Sequence, residues 1–384
     1  MNLNLDEIRT QINDIDDKIA DLYEKRLSLC DEVAQYKKST GKAVLDSRRE
    51  DRIIERITAG RDKDVKDALT ALYKGIFRTS RARQTTYLKN DSPLYTEIAK
   101  KAKENNVFPE KANVACQGTH GAYSQIACDA LFESPDTLYF ENFESVFKSV
   151  NSGLCKYGVL PFENSIHGSV CEVYDLLPSF DGYVVRSAKL PIHHSLLCKR
   201  GSNLKDIKEI FSHKQAIAQC SDFLNKYRDI KVTVCENTAM AARMVSESGR
   251  DDIAAICSES CAEKYNLDIL KKDLQNSSMN YTMFYCIAKE LEIYSDANKA
   301  AFMFNTPNRT GALEDVLALF STAGINLTKI ESKPISGKDF EFMFYAEADI
   351  SGVNEDMLGL FSLLDATLPF FKFIGIYKEI QVEN

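Results

Sequence analysis

The stretch Ile8-Arg-Thr-Gln-Ile-Asn-Asp-Ile-Asp16, continued by Lys25-Arg-Leu27, decides how the first ninety residues fold. Leu5, Ile8, Ile12, Ile15, Ile19, Leu22, Leu29, Val33 and Tyr36 recur at steps of three and four. That spacing predicts one helix of roughly 35 residues carrying a coiled-coil-like seam. Arg26 stands at the one gap, where the next seam residue belongs. A guanidinium in an apolar seam is costly to bury unless an anion accompanies it. Arg26, with Lys37 and Arg49 downstream, therefore points to an anion site, whereas Arg9 alone reads as surface charge. Arg9 and Arg26 would lie about 25 Å apart along such a helix. One small ligand could meet both only if a second protomer supplied Arg9. Shorter helices are expected at 47–58, opened by Asp46 or Ser47 as N-cap, and at 65–86, because the first proline is Pro93.

Working outward, the chain has 384 residues, 27% charged and 44% hydrophobic. That is globular composition with room for two or three domains. The net charge is −8, which argues against sequence-independent nucleic-acid binding. Residues 1–90 nevertheless hold 19 lysines and arginines against 16 acids, a surplus of three in an acidic chain. No apolar run is long enough for a membrane span, and the first residues lack the pattern of a secretory signal. Eleven cysteines without a C-x-x-C pair suit reduced thiols, and so a cytoplasmic protein without disulfides or structural zinc.

After a polar linker at 91–111 the pattern becomes strands alternating with helices, which means α/β layers. Strands are expected at 113–117, at 157–160 (closed by Pro161), at 231–235 and at 253–256. Helices are expected after Gly118–Ser124, from Ser212 to Leu224 with Ser212 and Gln215 in capping-box register, and at 238–248. All five histidines (His120, His167, His193, His194, His213) fall in this region. No two have helical ligand spacing, so they read as structural or cleft histidines, and no metal is expected. Beyond 296 the order is strand 299–305, helix 311–323, strands 326–334 and 340–349, helix 354–367 and strand 371–380. That is the ferredoxin-like βαββαβ order of an α+β domain.

Three resemblances cover nearly the whole chain. The N-terminal run, with Lys37, Asp46-Ser-Arg-Arg-Glu50 and Ser80-Arg-Ala-Arg-Gln84, resembles the all-helical chorismate mutase family. It implies a dimer of interleaved helices and a chorismate site of Arg9 (from the partner), Arg26, Lys37, Asp46, Arg49, Glu50, Ser80 and Gln84. Arg9 and Arg26 would hold the two carboxylates. Lys37 and Gln84 would donate to the ether oxygen, with Glu50 and Asp46 on the ring-hydroxyl side. Lys37, Gln84 and Glu50 are the catalytic candidates.

The motifs Gly118–Ser124, Pro161-Phe-Glu-Asn-Ser165, Ser212-His-Lys-Gln-Ala216 and Asn280-Tyr-Thr-Met-Phe284 resemble prephenate dehydratases. The implied fold is two α/β lobes, like a type II periplasmic binding protein. Thr282 would be the essential threonine, with Ser124, Glu163, Asn164, Ser165, Gln215 and Phe284 around prephenate. Met283 replaces the family's arginine, and Thr119 and Lys214 replace prolines. An outward-facing Met283 would be tolerated in a strand. An inward-facing one would suit an alternative, an active mutase joined to an impaired, ligand-sensing module.

Gly311-Ala-Leu313 and Glu331-Ser-Lys-Pro334 resemble the phenylalanine-binding motifs of ACT domains, with Lys333 for the usual arginine. Gly311, Ala312, Leu313, Glu331 and Ser332 are the implied effector contacts, although an N-cap at Asn308 or Thr310 would explain the same glycine. The expected organisation is a mutase domain at 1–90, a dehydratase domain at 112–290 and a regulatory ACT domain at 298–380. The expected protein is a homodimer or higher homo-oligomer that needs no cofactor and binds neither nucleic acid nor membrane. It would convert chorismate through prephenate to phenylpyruvate under feedback inhibition by L-phenylalanine.

Overall fold

The computed structural model describes residues 4–40, 46–88, 92–104, 106–335, 337 and 341–383. Two compact units divide the chain, residues 1–103 with 302–373 and residues 104–301 with 374–384. Parts of the expected linker (91 and 105), of the expected mutase domain (1–3, 41–45 and 89–90) and of the expected strand 340–349 (Phe340) lie outside the described residues.

The first unit opens with α1 (Leu5–Thr40), α2 (Ser47–Thr58) and α3 (Lys63–Leu88). Asp46 caps α2, its carboxylate accepting the Arg49 N–H at 3.1 Å. In α1 the structure corrects the seam. Tyr23, Arg26, Leu27, Cys30, Ala34 and Lys37 form the half-buried and buried stripe. Tyr23 and Arg26 bond α3 through Thr79 and Ser80. The apolar stripe beside it, from Leu5 to Tyr36, stays exposed, from 37% at Ile8 to 66% at Leu22. Arg26 is thus not an interruption of the apolar seam but part of a second stripe one position around the helix. Next comes α4 (Pro93–Lys103), which buries Ile98.

The second unit builds two lobes. The first contains β1 (Lys111–Gln117), α5 (Tyr123–Leu131), β2 (Ser134–Phe140), α6 (Phe143–Asn151), β3 (Tyr157–Asn164), β4 (Gly168–Ser169), α7 (Cys171–Leu176) and β5 (Tyr183–Pro191). The chain then crosses at 192–194 into β6 (Ser195–Lys199), β7 (Glu209–His213), α8 (Lys214–Gln219), α9 (Ser221–Leu224), β8 (Lys231–Cys235), α10 (Thr238–Glu247), β9 (Ile253–Cys257), α11 (Ser260–Tyr265) and β10 (Leu267–Lys271). It returns through 272–280 to β11 (Tyr281–Ala288) in the first sheet. The strand orders are β5-β11-β3-β1-β2 and β10-β6-β9-β7-β8. Each sheet has its own apolar core, around Val159, Phe284 and Cys286 in one lobe and around Leu197, Ala242 and Ala255 in the other.

Two local expectations are corrected. Pro161 does not close β3, which runs on to Asn164. Pairing with β1 ends at Val159, and β3 itself bulges at Phe162, since Pro161 faces Phe284 and Glu163 faces Met283 on β11. The capping box does not form. Ser212 lies in β7 and donates to the Ile256 carbonyl at 2.6 Å, while His213 caps α8.

The remaining elements are β12 (Lys299–Asn305), α12 (Ala312–Thr322), β13 (Asn326–Pro334), β14 (Phe342–Asp349), α13 (Glu355–Thr367) and β15 (Phe370–Gln381). Their order β13-β14-β12-β15 is that of a ferredoxin-like sheet. Neither Asn308 nor Thr310 caps α12. Its N-cap is Gly311 at φ +80°, a conformation that glycine adopts without strain, and no side chain caps the helix. No helix among the described residues is long and apolar enough to cross a membrane.

Close strand packing makes one position in the second unit sensitive. A Cβ on Gly375 in β15 would stand 2.0 Å from the Val184 carbonyl oxygen of β5. Gly375→Ala is expected to destabilise this unit by about 1–3 kcal/mol, seen as a lower Tm by calorimetry. An unchanged Tm would contradict this packing.

Candidate active sites

In the helical unit three pairings draw the expected residues together. Arg26 donates to the Ser80 hydroxyl and lies 5.9 Å from the Phe77 ring centroid. Lys37 Nζ donates to Gln84 Oε1 at 3.2 Å. Glu50 receives both of its bonds from Arg81, at 2.5 and 2.7 Å. Burial pushes the Lys37 ammonium below the ordinary lysine range, opposed by the carboxylates of Asp46 and Glu50. Ser80 and Gln84 are buried. Arg49 and Asp46 stand exposed at the start of α2. Arg9 is not brought to this group. It is exposed on the first turns of α1 beside Asp6, at 3.8 Å. Arg81 was missed by the sequence reading because its neighbour Ser80 carried the motif, and only the fold turns it toward α2.

The second unit holds a cavity of about 540 Å³ between its lobes. Of the expected residues, Ser124, Asn164, Gln215, Thr282 and Phe284 line it, whereas Glu163 and Ser165 do not. Glu163 pairs with Ser169 across the β3–β4 ribbon. Ser165 ties strand ends together, donating to the Met279 carbonyl and accepting the Tyr281 N–H. Thr282 and Phe284, two apart on β11, share the cavity face, and Met283 lies on the other. The loss of arginine at 283 therefore removes no group from the cavity wall.

Asn164 organises this wall. Its Oδ1 accepts the N–H groups of Ile166 and His167 at 3.1 and 3.0 Å, which fixes the amide orientation. Its Nδ2 then donates to Asn280 Oδ1, the Tyr281 carbonyl and Thr282 Oγ1, at 2.9, 3.1 and 3.0 Å. A hydroxyl has one donor and two acceptor positions. With Asn164 at its oxygen, Thr282 keeps its O–H for a ligand. The N-terminus of α5, at Tyr123 and Ser124, also opens into the cavity without a side-chain cap. Sequence reasoning missed His194, Gln219 and Tyr123 on this wall. Gln219 Oε1 and His194 Nε2 meet at 2.8 Å, and Tyr123 reaches His194 Nδ1 at 3.2 Å. Burial holds His194 and His213 below the ordinary imidazole range. Among the described residues no group of three or more histidines, cysteines and carboxylates could hold a metal ion.

A second, smaller cavity of about 380 Å³ adjoins the start of α12 and is lined by Gly311, Ala312 and Leu313 with Asn308, Glu341 and Phe344. Glu331 and Ser332 do not line it. They lie on β13, where Glu331 pairs with Lys329 at 3.5 Å.

Comparison with known proteins matches both regions to known families. The chorismate mutase type II family model matches residues 8–85, and the prephenate dehydratase model matches residues 114–292. The chain is 30% identical over 384 residues to the bifunctional chorismate mutase/prephenate dehydratase of Enterobacter agglomerans, covering 98% of this chain and 96% of that one. It is 33% identical over 314 residues to arogenate dehydratase/prephenate dehydratase 2 of Arabidopsis thaliana, 77% of this chain and 81% of the relative. The prephenate dehydratase of Arthrobacter aurescens, solved with L-Phe, shares the fold at a TM-score of 0.63 and 24% identity, over 69% of this chain and 89% of that one. With both catalytic regions matched and the relative's length spanned end to end, the chain belongs to the bifunctional chorismate mutase/prephenate dehydratase family.

Proposed function

We propose that the chain rearranges chorismate to prephenate in its helical unit and converts prephenate to phenylpyruvate in its cleft. The observation that carries this reading is the Thr282 hydroxyl, which accepts from Asn164 at 3.0 Å on the wall of a 540 Å³ cavity.

The first step is pericyclic, so the protein needs only to select the compact substrate conformer and place charge. Arg26 would grip one carboxylate and Lys37 with Gln84 the ether oxygen, as the C–O bond breaks and the C–C bond forms. Arg9 of a second protomer would take the other carboxylate. The exposed apolar stripe on α1 supports this arrangement, because a 36-residue helix that buries only Cys30 and Ala34 needs a partner helix.

In the second step the ring carboxylate leaves as CO₂. Its bonding electrons aromatise the ring and expel the hydroxyl, which leaves as water after gaining a proton. Thr282 would donate a hydrogen bond to that hydroxyl, while Ser124 and the free N–H groups of α5 receive a carboxylate. Gln215 and Phe284 would shape the pocket. The C-terminal domain would act as an ACT module. L-phenylalanine would bind near Gly311–Leu313, in keeping with the bound L-Phe of the related enzyme, and β13, an edge strand, would offer a surface for pairing between chains.

Lys37→Ala is expected to lower mutase kcat at least 100-fold with the circular dichroism spectrum unchanged. Because burial lowers the Lys37 pKa, wild-type mutase activity is expected to fall on the alkaline side before the ordinary lysine range is reached. Unchanged turnover in Lys37→Ala would reject the assignment. Thr282→Val should abolish phenylpyruvate formation while leaving the mutase intact, and a fully active Thr282→Val would remove Thr282 from the mechanism. Calorimetric titration should detect L-phenylalanine binding to the wild type and its loss in Gly311→Val. No heat in the wild type would discard the effector reading.

A further inference from the structure

The cleft lacks the cations a dianion calls for. Among the described residues that line it, none is a lysine or an arginine. The titratable groups facing its interior are Tyr123, Cys171, Glu172, Glu236 and the histidines 167, 194 and 213. Prephenate would bring two carboxylates to this wall, and helix N-termini supply only partial charge. A full positive charge can come only from an imidazole.

Hydrogen bonding separates the three rings. His213 Nδ1 accepts the Gln215 N–H as the cap of α8, at 3.4 Å. His194 is buried between Tyr123 and Gln219, with both nitrogens engaged. His167 is exposed on the loop between β3 and β4, and its protein contacts run through Nδ1, to Asn164 Oδ1 and to the Gln219 amide, each at 3.2 Å.

Asn164 Oδ1 can only accept, so a hydrogen on Nδ1 of His167 suits this contact, whereas the Gln219 amide as placed turns its Nε2 to the same nitrogen. Gln219 stands between the two rings, and its amide oxygen and nitrogen exchange places by a half-turn. With its oxygen toward His167 and its nitrogen toward His194, every donor meets an acceptor. His194 then donates from Nδ1 to the Tyr123 oxygen, and Tyr123 donates to the His193 carbonyl. The network thus sets His167 as the Nδ1–H tautomer, with Nε2 left for the cavity. With a hydrogen on Nε2 as well, the ring is a cationic donor that suits a carboxylate.

We propose that His167 is the cationic carboxylate-binding residue of the cleft, so that prephenate is taken up by the imidazolium form of the protein. The inference rests on the dehydratase reading and adds to it the residue that supplies the charge. Gln219 is a positioning residue in it, holding His167 against Asn164.

The test follows phenylpyruvate formation from supplied prephenate by the full chain between pH 5.5 and 8.5, with the enzyme-free rate subtracted and mutase turnover as the folding control. In the wild type kcat/KM is expected to fall up to tenfold per pH unit on the alkaline side while kcat changes little. His167→Gln should raise KM on the order of 10- to 100-fold and lose that limb, and His167→Arg should restore KM without it. A limb that survives in His167→Gln would belong to His194, His213 or Cys171 and would overturn the proposal. So would an unchanged KM, or a loss confined to kcat. Absence of phenylpyruvate from the wild type at every pH would instead overturn the dehydratase reading itself, and this proposal with it.

Discussion

Taking a dicarboxylate out of water is the constraint on which the rest of the molecule turns. Each carboxylate must exchange its hydration for donors already in place, or binding fails. On the proposed reading the helical unit would meet this with full charges held by neighbours, Arg26 against Ser80 and Lys37 against Gln84. The cleft would meet it with an open helix end, a hydroxyl and an imidazole.

In the cleft, rigidity comes from one amide. Asn164 joins the end of β3, the start of β11 and the turn toward β4, so Thr282 and His167 are held by the same side chain. The second lobe reaches this cluster through Gln219, which touches both His167 and His194. Elsewhere the cleft is walled by apolar side chains, among them Phe143, Pro161, Ile192 and Phe284, which suits a ring-bearing substrate.

Much of this was legible in the sequence because periodicity and short motifs encode local structure. The helix 47–58 and the strands 231–235, 299–305 and 326–334 stand where the pattern puts them. Errors arose where distant neighbours decide. Pro161 reads as a strand end, yet β3 continues past it, bulging at Phe162 against β11, a strand over a hundred residues on. Ser212 reads as a helix cap, but the Ile256 carbonyl of the adjacent strand claims its hydroxyl. Arg26 reads as a gap in one stripe and belongs to another, because two faces of α1 lie one residue apart. Met283 was ambiguous from sequence, and strand alternation beside Thr282 turns it from the cavity. Arg81, Gln219 and His194 carried no local signal, since each acts through a partner remote in sequence.

The account's central claim is that one chain performs both reactions. The most direct measurement supplies chorismate alone to the purified protein and follows prephenate and phenylpyruvate together over time. The account predicts a rise of prephenate followed by its conversion to phenylpyruvate. Prephenate that accumulates to the full amount of chorismate, with no phenylpyruvate, would contradict it.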